Sequence, residues 1–222
     1  NLSSGDVLLG GSFTSYEGTS TRNLVLVDID GKVKKTFSFG AEVTAVHETS
    51  KGKIIVAGEF VNYDGKANYD YLVQFNSDFT IDTDFMDNLT ANNTQRTFNG
   101  IVGEKTRAVQ SPDPIVEHNS KLYIAGNFNT VSGQRYSRVV SLNLDGTINT
   151  SFSFPILNNT SVAYEYVKSL AIDTNDTADL TDDRLFVVGY DILLNYKGSN
   201  TYRPIWKLKL DGSVDESFLS AV

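Results

Sequence analysis

The densest group of potential metal ligands in the sequence lies in one short acidic stretch, DTNDTADLTDD, residues 173–183. Its oxygen-bearing side chains are those of Asp173, Asn175, Asp176, Asp179, Asp182 and Asp183. Carboxylate and amide oxygens are the ligands that Ca²⁺ prefers, but the stretch has neither the central glycine nor the correctly placed glutamate of an EF-hand loop. We therefore favour a solvated hairpin loop, with a calcium site as the alternative.

Histidines and nucleophiles offer little further chemistry. The two histidines, His47 and His118, follow the apolar runs VTAV and PIVE, which places them at similar strand ends. A paired metal site is one interpretation, and two ordinary strand-end residues is the favoured one. The sequence has no cysteine and none of the common metalloprotease, nucleophile-elbow or phosphate-loop motifs. No catalytic residue and no resident cofactor are predicted, so we expect a protein that is not an enzyme.

A third group combines cations with an aromatic ring. The segment NNTQRTFNGIVGEKTR, residues 92–107, holds Arg96, Phe98, Lys105 and Arg107 in an otherwise acidic chain. Arginine and aromatic residues are enriched at protein–protein interfaces. The segment is therefore predicted to be an interaction surface that folding does not require, and a disordered surface loop is the alternative.

Tyrosines in variable segments suggest a different ligand. Tyr69, Tyr71, Tyr164, Tyr166, Tyr196 and Tyr202 are candidates for stacking on sugar rings. The alternative for these tyrosines is packing within hairpins.

Composition excludes several classes of partner. The net charge of −8 disfavours nucleic acids and anionic membrane surfaces, because proteins that grip phosphates carry an excess of Lys and Arg. No apolar run approaches the roughly 18 residues of a membrane span, so no membrane insertion is predicted. With 40% hydrophobic residues, the chain is expected to fold.

One phrase recurs four times and organises the chain. The segments DVLLGGSFTSYEG, KIIVAGEFVNYDG, KLYIAGNFNTVSG and RLFVVGYDILLNYKG align on Gly11, Gly58, Gly126 and Gly189. Four apolar residues precede each of these glycines, a pattern typical of a strand covered on both faces. A second glycine follows after about seven residues and predicts a turn.

A second strand follows each phrase. Two of its columns are apolar in all four repeats, Val27, Phe75, Leu142 and Leu208 in one and Val25, Val73, Val140 and Trp206 in the other. Residues between the columns, such as Gln74, Ser141 and Lys207, are often polar. This alternation predicts a half-buried strand.

A turn and a third strand complete the phrase. Asp-Gly follows the second strand in three repeats, whereas repeat two has Asp78-Phe79, so its turn must differ. Further on, Val33, Ile81, Ile148 and Val214 each stand four residues before a phenylalanine, namely Phe37, Phe85, Phe152 and Phe218. An offset of four residues puts both side chains on one face of a strand, so a third strand with a buried phenylalanine is predicted.

These elements predict an all-β fold, a β-propeller of four-stranded antiparallel blades. A further strand precedes the phrase in repeats two to four, and repeat one lacks it. The repeats span about residues 1–40, 41–87, 107–154 and 166–222, with insertions at 88–113 and 158–166 where binding is expected. We interpret residues 1–222 as one propeller domain or, preferably, a segment of a larger protein. A linear β-solenoid is the second choice.

The repeats resemble a known family. GKIIVAGEF, YLVQFNSDFTIDTDF, KLYIAGNF and RVVSLNLDGTINTSF are similar to the delta-60 repeat, a bacterial and phage β-propeller repeat. Repeat four departs most, with Asp191 in place of the usual phenylalanine and Lys197 before its glycine. The resemblance implies a propeller from a secreted or surface protein, or from a phage structural protein.

Three functions follow as expectations. The first is a non-enzymatic structural or interaction module in a phage tail or virion, contacting other structural proteins or further copies of itself. The second is a bacterial cell-surface adhesin or carbohydrate-binding propeller, which would place the chain outside the cell and give it a glycan ligand. The third and least favoured is a propeller enzyme.

Overall fold

The computed structural model describes residues 1–91, 94–100, 102, 113–136, 138–155, 166–197 and 199–219. Within these residues the chain is all-β, with two short helices and one 3₁₀ turn at Tyr63–Gly65. The strands are β1 (Val7–Gly10), β2 (Ser15–Tyr16), β3 (Thr19–Ser20), β4 (Leu24–Val27), β5 (Val33–Thr36), β6 (Val43–Glu48), β7 (Ile54–Gly58), β8 (Leu72–Phe75), β9 (Ile115–His118), β10 (Lys121–Ala125), β11 (Thr130–Val131), β12 (Gln134–Arg135), β13 (Val139–Asn143), β14 (Tyr166–Asp173), β15 (Arg184–Tyr196) and β16 (Ser199–Lys209), and the helices are α1 (Thr83–Leu89) and α2 (Glu216–Leu219).

Four antiparallel sheets of three strands follow one another along the chain. Their strand orders are β1-β4-β5, β6-β7-β8, β9-β10-β13 and β14-β15-β16. Two small hairpins, β2-β3 and β11-β12, extend the first and third repeats. Neighbouring sheets contact each other through β1 and β6, β6 and β9, and β9 and β14. Several antiparallel sheets packed in this sequence are consistent with a β-propeller-like fold.

The predicted four-stranded blades are not found, because the last strand is short or missing in three repeats. Only repeat one has it in full, as β5. In the other three it is reduced to a single bridge each, Phe75 with Ile81, Leu142 with Ile148, and Leu208 with Val214. The sheets within the described residues therefore have three strands, and the first-strand position is filled in all repeats except the first.

A capping side chain explains why the last strand stops early. In repeats two to four the bridge is followed by Asp82, Asn149 or Asp215, whose side-chain oxygen accepts a backbone N–H two or three residues ahead. Such residues start helices and turns, since they satisfy N–H groups that have no other partner. Repeat one has Lys34 at this position, which cannot accept, and its chain stays extended as β5.

The central strands of repeats two and three are buried on both faces. Every residue of β7 and β8 is buried, as are most residues of β10 and β13. The prediction of doubly covered strands is confirmed for β7 and β10 and wrong for β1 and the first half of β15, where no strand residue or only alternate residues are buried. The prediction of half-buried strands is wrong for β4, β8 and β13. The polar residues on the second face of β8 and β13 have partners after the turn. Gln74 donates to Asp82 at 3.1 Å, and Ser141 accepts from Asn149 at 3.1 Å.

Three of the four recurring phenylalanines lie in the core as predicted, but none of the four lies within a strand, since Phe37 directly follows β5. Phe37, Phe85 and Phe152 are buried. Phe37 packs edge-on against Phe75 of the next repeat, with ring centroids 6.2 Å apart, so this column joins neighbouring sheets. Phe218 is half-buried and contacts the Phe186 ring at 5.9 Å.

Consecutive repeats come into backbone contact at the Asp-Gly turns. A Cβ atom added to Gly146 would lie 2.4 Å from the carbonyl oxygen of Phe85, in the preceding repeat. One added to Gly212 would lie 2.4 Å from that of Ser153. Both glycines have φ of +90°, a conformation that other residues adopt only at a cost. The turn glycine thus serves the packing of one repeat on the next as well as the turn itself.

We predict that Gly146→Ala destabilises the protein far more than a matched change elsewhere. The left-handed backbone costs about 1–2 kcal/mol for an L-residue, and separating the repeats to make room adds about 1–3 kcal/mol. Gly18→Ala is the control, because Gly18 has φ of +75° but nothing within 4 Å of the added Cβ. Urea unfolding of both variants gives the comparison. Equal losses of unfolding free energy would contradict the backbone contact.

Candidate functional site

A cleft of about 630 Å³ opens in repeat two between the 3₁₀ turn and the segment that follows β8. Its apolar lining includes the rings of Tyr63, Tyr69, Phe75 and Phe79. We call it the repeat-two cleft. Tyr69 and Phe75 are almost wholly buried, so the half-buried Tyr63 and Phe79 present more ring surface to it.

The first wall is the 3₁₀ turn. Repeats one and three place a two-stranded hairpin at this position, but in repeat two Asn62 adopts a left-handed conformation with φ of 53° and the chain turns earlier. The Tyr63 ring is then stacked on Phe39 at 4.4 Å. Its backbone N–H donates to the carbonyl of Tyr69 at 3.0 Å, which fixes the wall in place.

The second wall is Phe79, which occupies the glycine position of the Asp-Gly turn. The equivalent residues Gly31, Gly146 and Gly212 have φ between 83° and 90°, and Phe79 has φ of 63°. A bulky residue in this region is strained by about 1–2 kcal/mol. The ring packs on Phe37 of repeat one, at 5.5 Å, and lies under the Lys35 ammonium at a similar distance.

The cleft exists because the first junction differs from the later ones. At Gly146 and Gly212 the preceding repeat lies directly against the turn, whereas at Phe79 the neighbour is the Phe37 ring, which leaves room for a side chain. In repeat one the corresponding space next to Gly31 is taken by Tyr16. The Tyr16 hydroxyl would lie 3.3 Å from a Cβ at Gly31.

Polar groups of both signs surround the aromatic lining. Asp64 and Asp87 supply carboxylates, Lys66 an ammonium, and Thr80 and Thr83 hydroxyls. Burial, together with the charge of Asp64, raises the pKa of Tyr63 to about 12, so its hydroxyl remains a neutral group at physiological pH. The arrangement offers hydrogen-bond donors and acceptors beside an apolar surface.

A second set of polar contacts joins the repeats to one another. Glu48, at the end of β6, accepts the backbone N–H and the hydroxyl of Ser3 at 2.5 and 2.6 Å. Glu117 on β9 accepts the same two groups of Ser50, at 2.8 and 2.5 Å. Each carboxylate therefore holds the turn of the preceding repeat, and we call these contacts the Ser–Glu clamps.

The histidines belong to the same row of contacts, and each has a carboxylate of a neighbouring repeat as its partner. His118 replaces the clamp serine in repeat three and lies 2.6 Å from Asp183 of repeat four. The Nε2 atom of His47 lies 3.8 Å from Glu117. Burial lowers the pKa of His47, although the neighbouring carboxylate of Glu117 opposes this effect, so its imidazole is neutral at pH 7.

A third contact recurs inside repeats one, two and four, and the sequence analysis missed it. Lys53 pairs with Asp82 at 2.7 Å, and Arg184 with Asp215 at 2.6 Å, tying the start of the long central strand to the segment after the turn. In repeat one the same positions carry reversed charges, in the Asp6–Lys34 pair at 2.7 Å. Comparing these two columns across the repeats would have revealed their complementary charges.

The acidic stretch forms the loop between β14 and β15, as predicted. Its side chains contact several separate partners. Asp179 accepts from Thr181, Asp182 from Thr177 at 2.9 Å, and Asp173 lies 3.5 Å from Lys207. Asp183 binds His118. Across the described part of the chain, no group of three or more His, Asp or Glu side chains is placed to hold a metal.

The basic segment behaves differently from the expectation. Arg96 is exposed but pairs with the fully buried Asp70 at 3.3 Å. Phe98 is fully buried and packs edge-on against Phe128 at 4.9 Å, which corrects the expectation of an exposed aromatic. Val102 is also buried, so the described part of the insertion contributes side chains to the core. Removing these side chains is expected to destabilise the fold, contrary to the earlier expectation. Lys105 and Arg107 lie outside the described residues.

The tyrosines predicted to contact sugars are spread over several environments. Tyr69 is buried, with its edge on the repeat-two cleft, and Tyr71 is half-buried in a left-handed conformation with φ of 66°. Tyr202 is 52% exposed on β16. Tyr164 lies outside the described residues, as do the side chains of Tyr166 and Tyr196. Tyr63, which sequence reasoning did not single out, is the tyrosine most involved in the cleft.

The comparisons with known proteins support the repeat architecture. Residues 50–85 and 119–152 match a family model described as a domain of unknown function (DUF5122) beta-propeller. The two stretches lie in repeats two and three, and they support a β-propeller repeat family for this chain. No curated protein and no solved structure matches the chain significantly. No helix among the described residues is long and apolar enough to cross a membrane.

We predict that the free energy of unfolding falls at acidic pH because the Asp215 carboxylate becomes protonated. Hydrogen bonds from Ser217, opposed by burial and supported by Arg184, lower the pKa of Asp215 to about 2. Because the folded-state pKa lies below that of the unfolded chain, this stabilisation is present above about pH 4 and is lost as the pH falls towards 2. Asp215→Asn keeps the cap but cannot titrate.

Urea unfolding between pH 5 and pH 2.5 measures this effect. The Asp215→Asn variant should start less stable at pH 5 and lose less unfolding free energy over the range than the natural protein. Asp30→Asn, which removes the same charge from an exposed turn, is the control and should lose as much as the natural protein. Parallel curves for all three proteins would contradict the assignment.

Proposed function

We propose that this chain is a non-enzymatic structural and interaction module of the delta-60 repeat type, acting in a phage tail or virion. The observation that carries the proposal is the use of strand-end polar side chains to join repeats. Ser3 with Glu48, Ser50 with Glu117, and His118 with Asp183 each link two consecutive repeats. Such contacts favour a rigid scaffold, which suits a component of a larger assembly.

The order of the groups in the second clamp argues against nucleophilic catalysis there. The Ser50 hydroxyl donates to one oxygen of Glu117, and His47 lies beside the other. An activated serine needs the imidazole itself as its base, with the carboxylate on the far side of the ring. In this cluster the carboxylate stands between them, so the three groups suit structural hydrogen bonding.

Binding by the module is assigned to the repeat-two cleft. The shared columns of the repeats are accounted for by packing, turns and ion pairs. Repeat two departs from the others at the 3₁₀ turn and at Phe79, and both departures line one cleft. Features in which one repeat departs from the others, placed on a rigid scaffold, are where recognition is expected.

A secreted cell-surface adhesin is the second candidate function. It is favoured by the mixture of aromatic rings and polar groups in the repeat-two cleft. Both candidates place the chain on an exterior surface, that of a virion or that of a cell. Other structural proteins or further copies of the chain are the expected partners in the first case, and a glycan in the second.

Fractionation of the native source tests the assembly role. An antibody raised against the chain is used to probe purified particles, washed cell envelopes and the soluble fraction after gradient sedimentation. The proposal expects the chain to co-sediment with particles and to resist extraction by 1 M salt, chosen to screen weak surface charge contacts. Recovery in envelopes would favour the adhesin, and a free monomer in the soluble fraction would overturn both candidates.

A further inference from the structure

We infer that the repeat-two cleft binds a neutral carbohydrate through one pyranose ring held against Tyr63 and Phe79. The inference deepens the proposed function and rests on it only in taking the chain to be a binding module. The ligand class follows from four features of the cleft: its restriction to repeat two when compared with repeat one, its apolar walls, its polar rim and its rigid walls.

The cleft is present in repeat two, whereas the corresponding space in repeat one is filled. The same two positions in repeat one hold Tyr16 and Gly31, with the Tyr16 hydroxyl next to the glycine. In repeat two, Tyr63 turns away to stack on Phe39, and Phe79 replaces the glycine despite its left-handed backbone. The different placement of the shared tyrosine and the replacement of glycine by Phe79 together open one space.

The walls suit the apolar face of a sugar ring. A pyranose carries several C–H bonds on one face, and proteins cover that face with aromatic rings because the contact removes apolar surface from water. Tyr63 and Phe79 are the half-buried rings of the lining. The volume of about 630 Å³ lies within the ~300–1,000 Å³ range of small-ligand sites.

The rim suits hydroxyl groups, which both donate and accept. Asp64 and Asp87 can accept from sugar hydroxyls, and Lys66 and Thr83 can donate to them, whereas the Thr80 hydroxyl already donates to Asp78. An anionic ligand is disfavoured, because the lining carries two carboxylates against one ammonium and the chain carries a net charge of −8. A cation is the competing ligand class, because the lining carries one more carboxylate than ammonium groups, and the test therefore includes a cation probe.

Both walls are held by hydrogen bonds that do not depend on a ligand. Asn62 donates its backbone N–H to the buried Asp70 at 2.8 Å, which anchors the 3₁₀ turn. Asp78 accepts the N–H and the hydroxyl of Thr80, at 2.9 and 2.6 Å, which anchors the turn at Phe79. A preformed site loses less entropy on binding, so weak individual contacts suffice.

The test measures binding of three trisaccharides, maltotriose, cellotriose and tri-N-acetylchitotriose, by saturation-transfer NMR and calorimetry. Choline chloride serves as the cation probe. The key variant is Phe79→Gly, which removes one wall while installing the residue that the other three repeats carry, so it is expected to stay folded. Tyr16→Ala is the control, since it removes the aromatic at the position in repeat one that corresponds to Tyr63.

We expect at least one trisaccharide to bind saturably, with Phe79→Gly weakening its affinity at least tenfold and Tyr16→Ala changing it less than twofold. Asp64→Asn, at an exposed position, should weaken it about threefold or more and replaces Phe79→Gly if that variant does not fold. Absence of binding by all three sugars, equal binding by Phe79→Gly, or binding of choline alone would each overturn the inference.

Failure here is distinguishable from failure of the proposed function. Particle association without sugar binding would remove the carbohydrate ligand and leave the assembly role intact. Sugar binding by a chain that is found free in the soluble fraction would keep the ligand and remove the assembly role.

Discussion

Covering both faces of the central strands in repeats two and three is the physical requirement on which the rest of this structure depends. Strands such as β7 and β8 have no exposed residues, so their sheet is stable only when a further repeat lies on each side. The column of phenylalanines, the close contact at Gly146 and the Ser–Glu clamps all act at these junctions. The junction, more than the single sheet, is therefore the unit that the repeat sequence encodes.

The proposed binding site lies at the first junction, where the turn of one repeat does not pack directly against the backbone of the preceding repeat. Most junctions bring a glycine against the preceding backbone and leave no space. The first junction is instead filled by the Phe79 and Phe37 rings, and the repeat-two cleft lies beside them. A binding site placed at such a junction keeps rigid walls without interrupting the packing elsewhere in the stack.

The sequence predicted the fold class and the buried columns, because apolar periodicity and turn glycines are local signals. It also located the loop of residues 173–183 and the unusual turn at Phe79. It did not predict the capping role of Asp82 and Asp215, since the same four-residue offset to phenylalanine fits a strand as well as a capped turn. The burial of Phe98 was missed because core contacts of an insertion depend on neighbours distant in the chain. Tyr63 was missed because its role depends on the backbone of Asn62, which composition does not reveal.

The reversed ion pair in repeat one has a consequence for how the chain folds. Similar modules in tandem can exchange strands during folding, a characteristic failure of repeat proteins. If the strand beginning at Asp6 captured the segment of repeat two, two carboxylates would meet at Asp6 and Asp82, and the reciprocal error would bring Lys53 against Lys34. Like charges in these places disfavour both wrong pairings. These two neighbouring repeats thus carry ion pairs of opposite polarity, which direct each strand to its own partner.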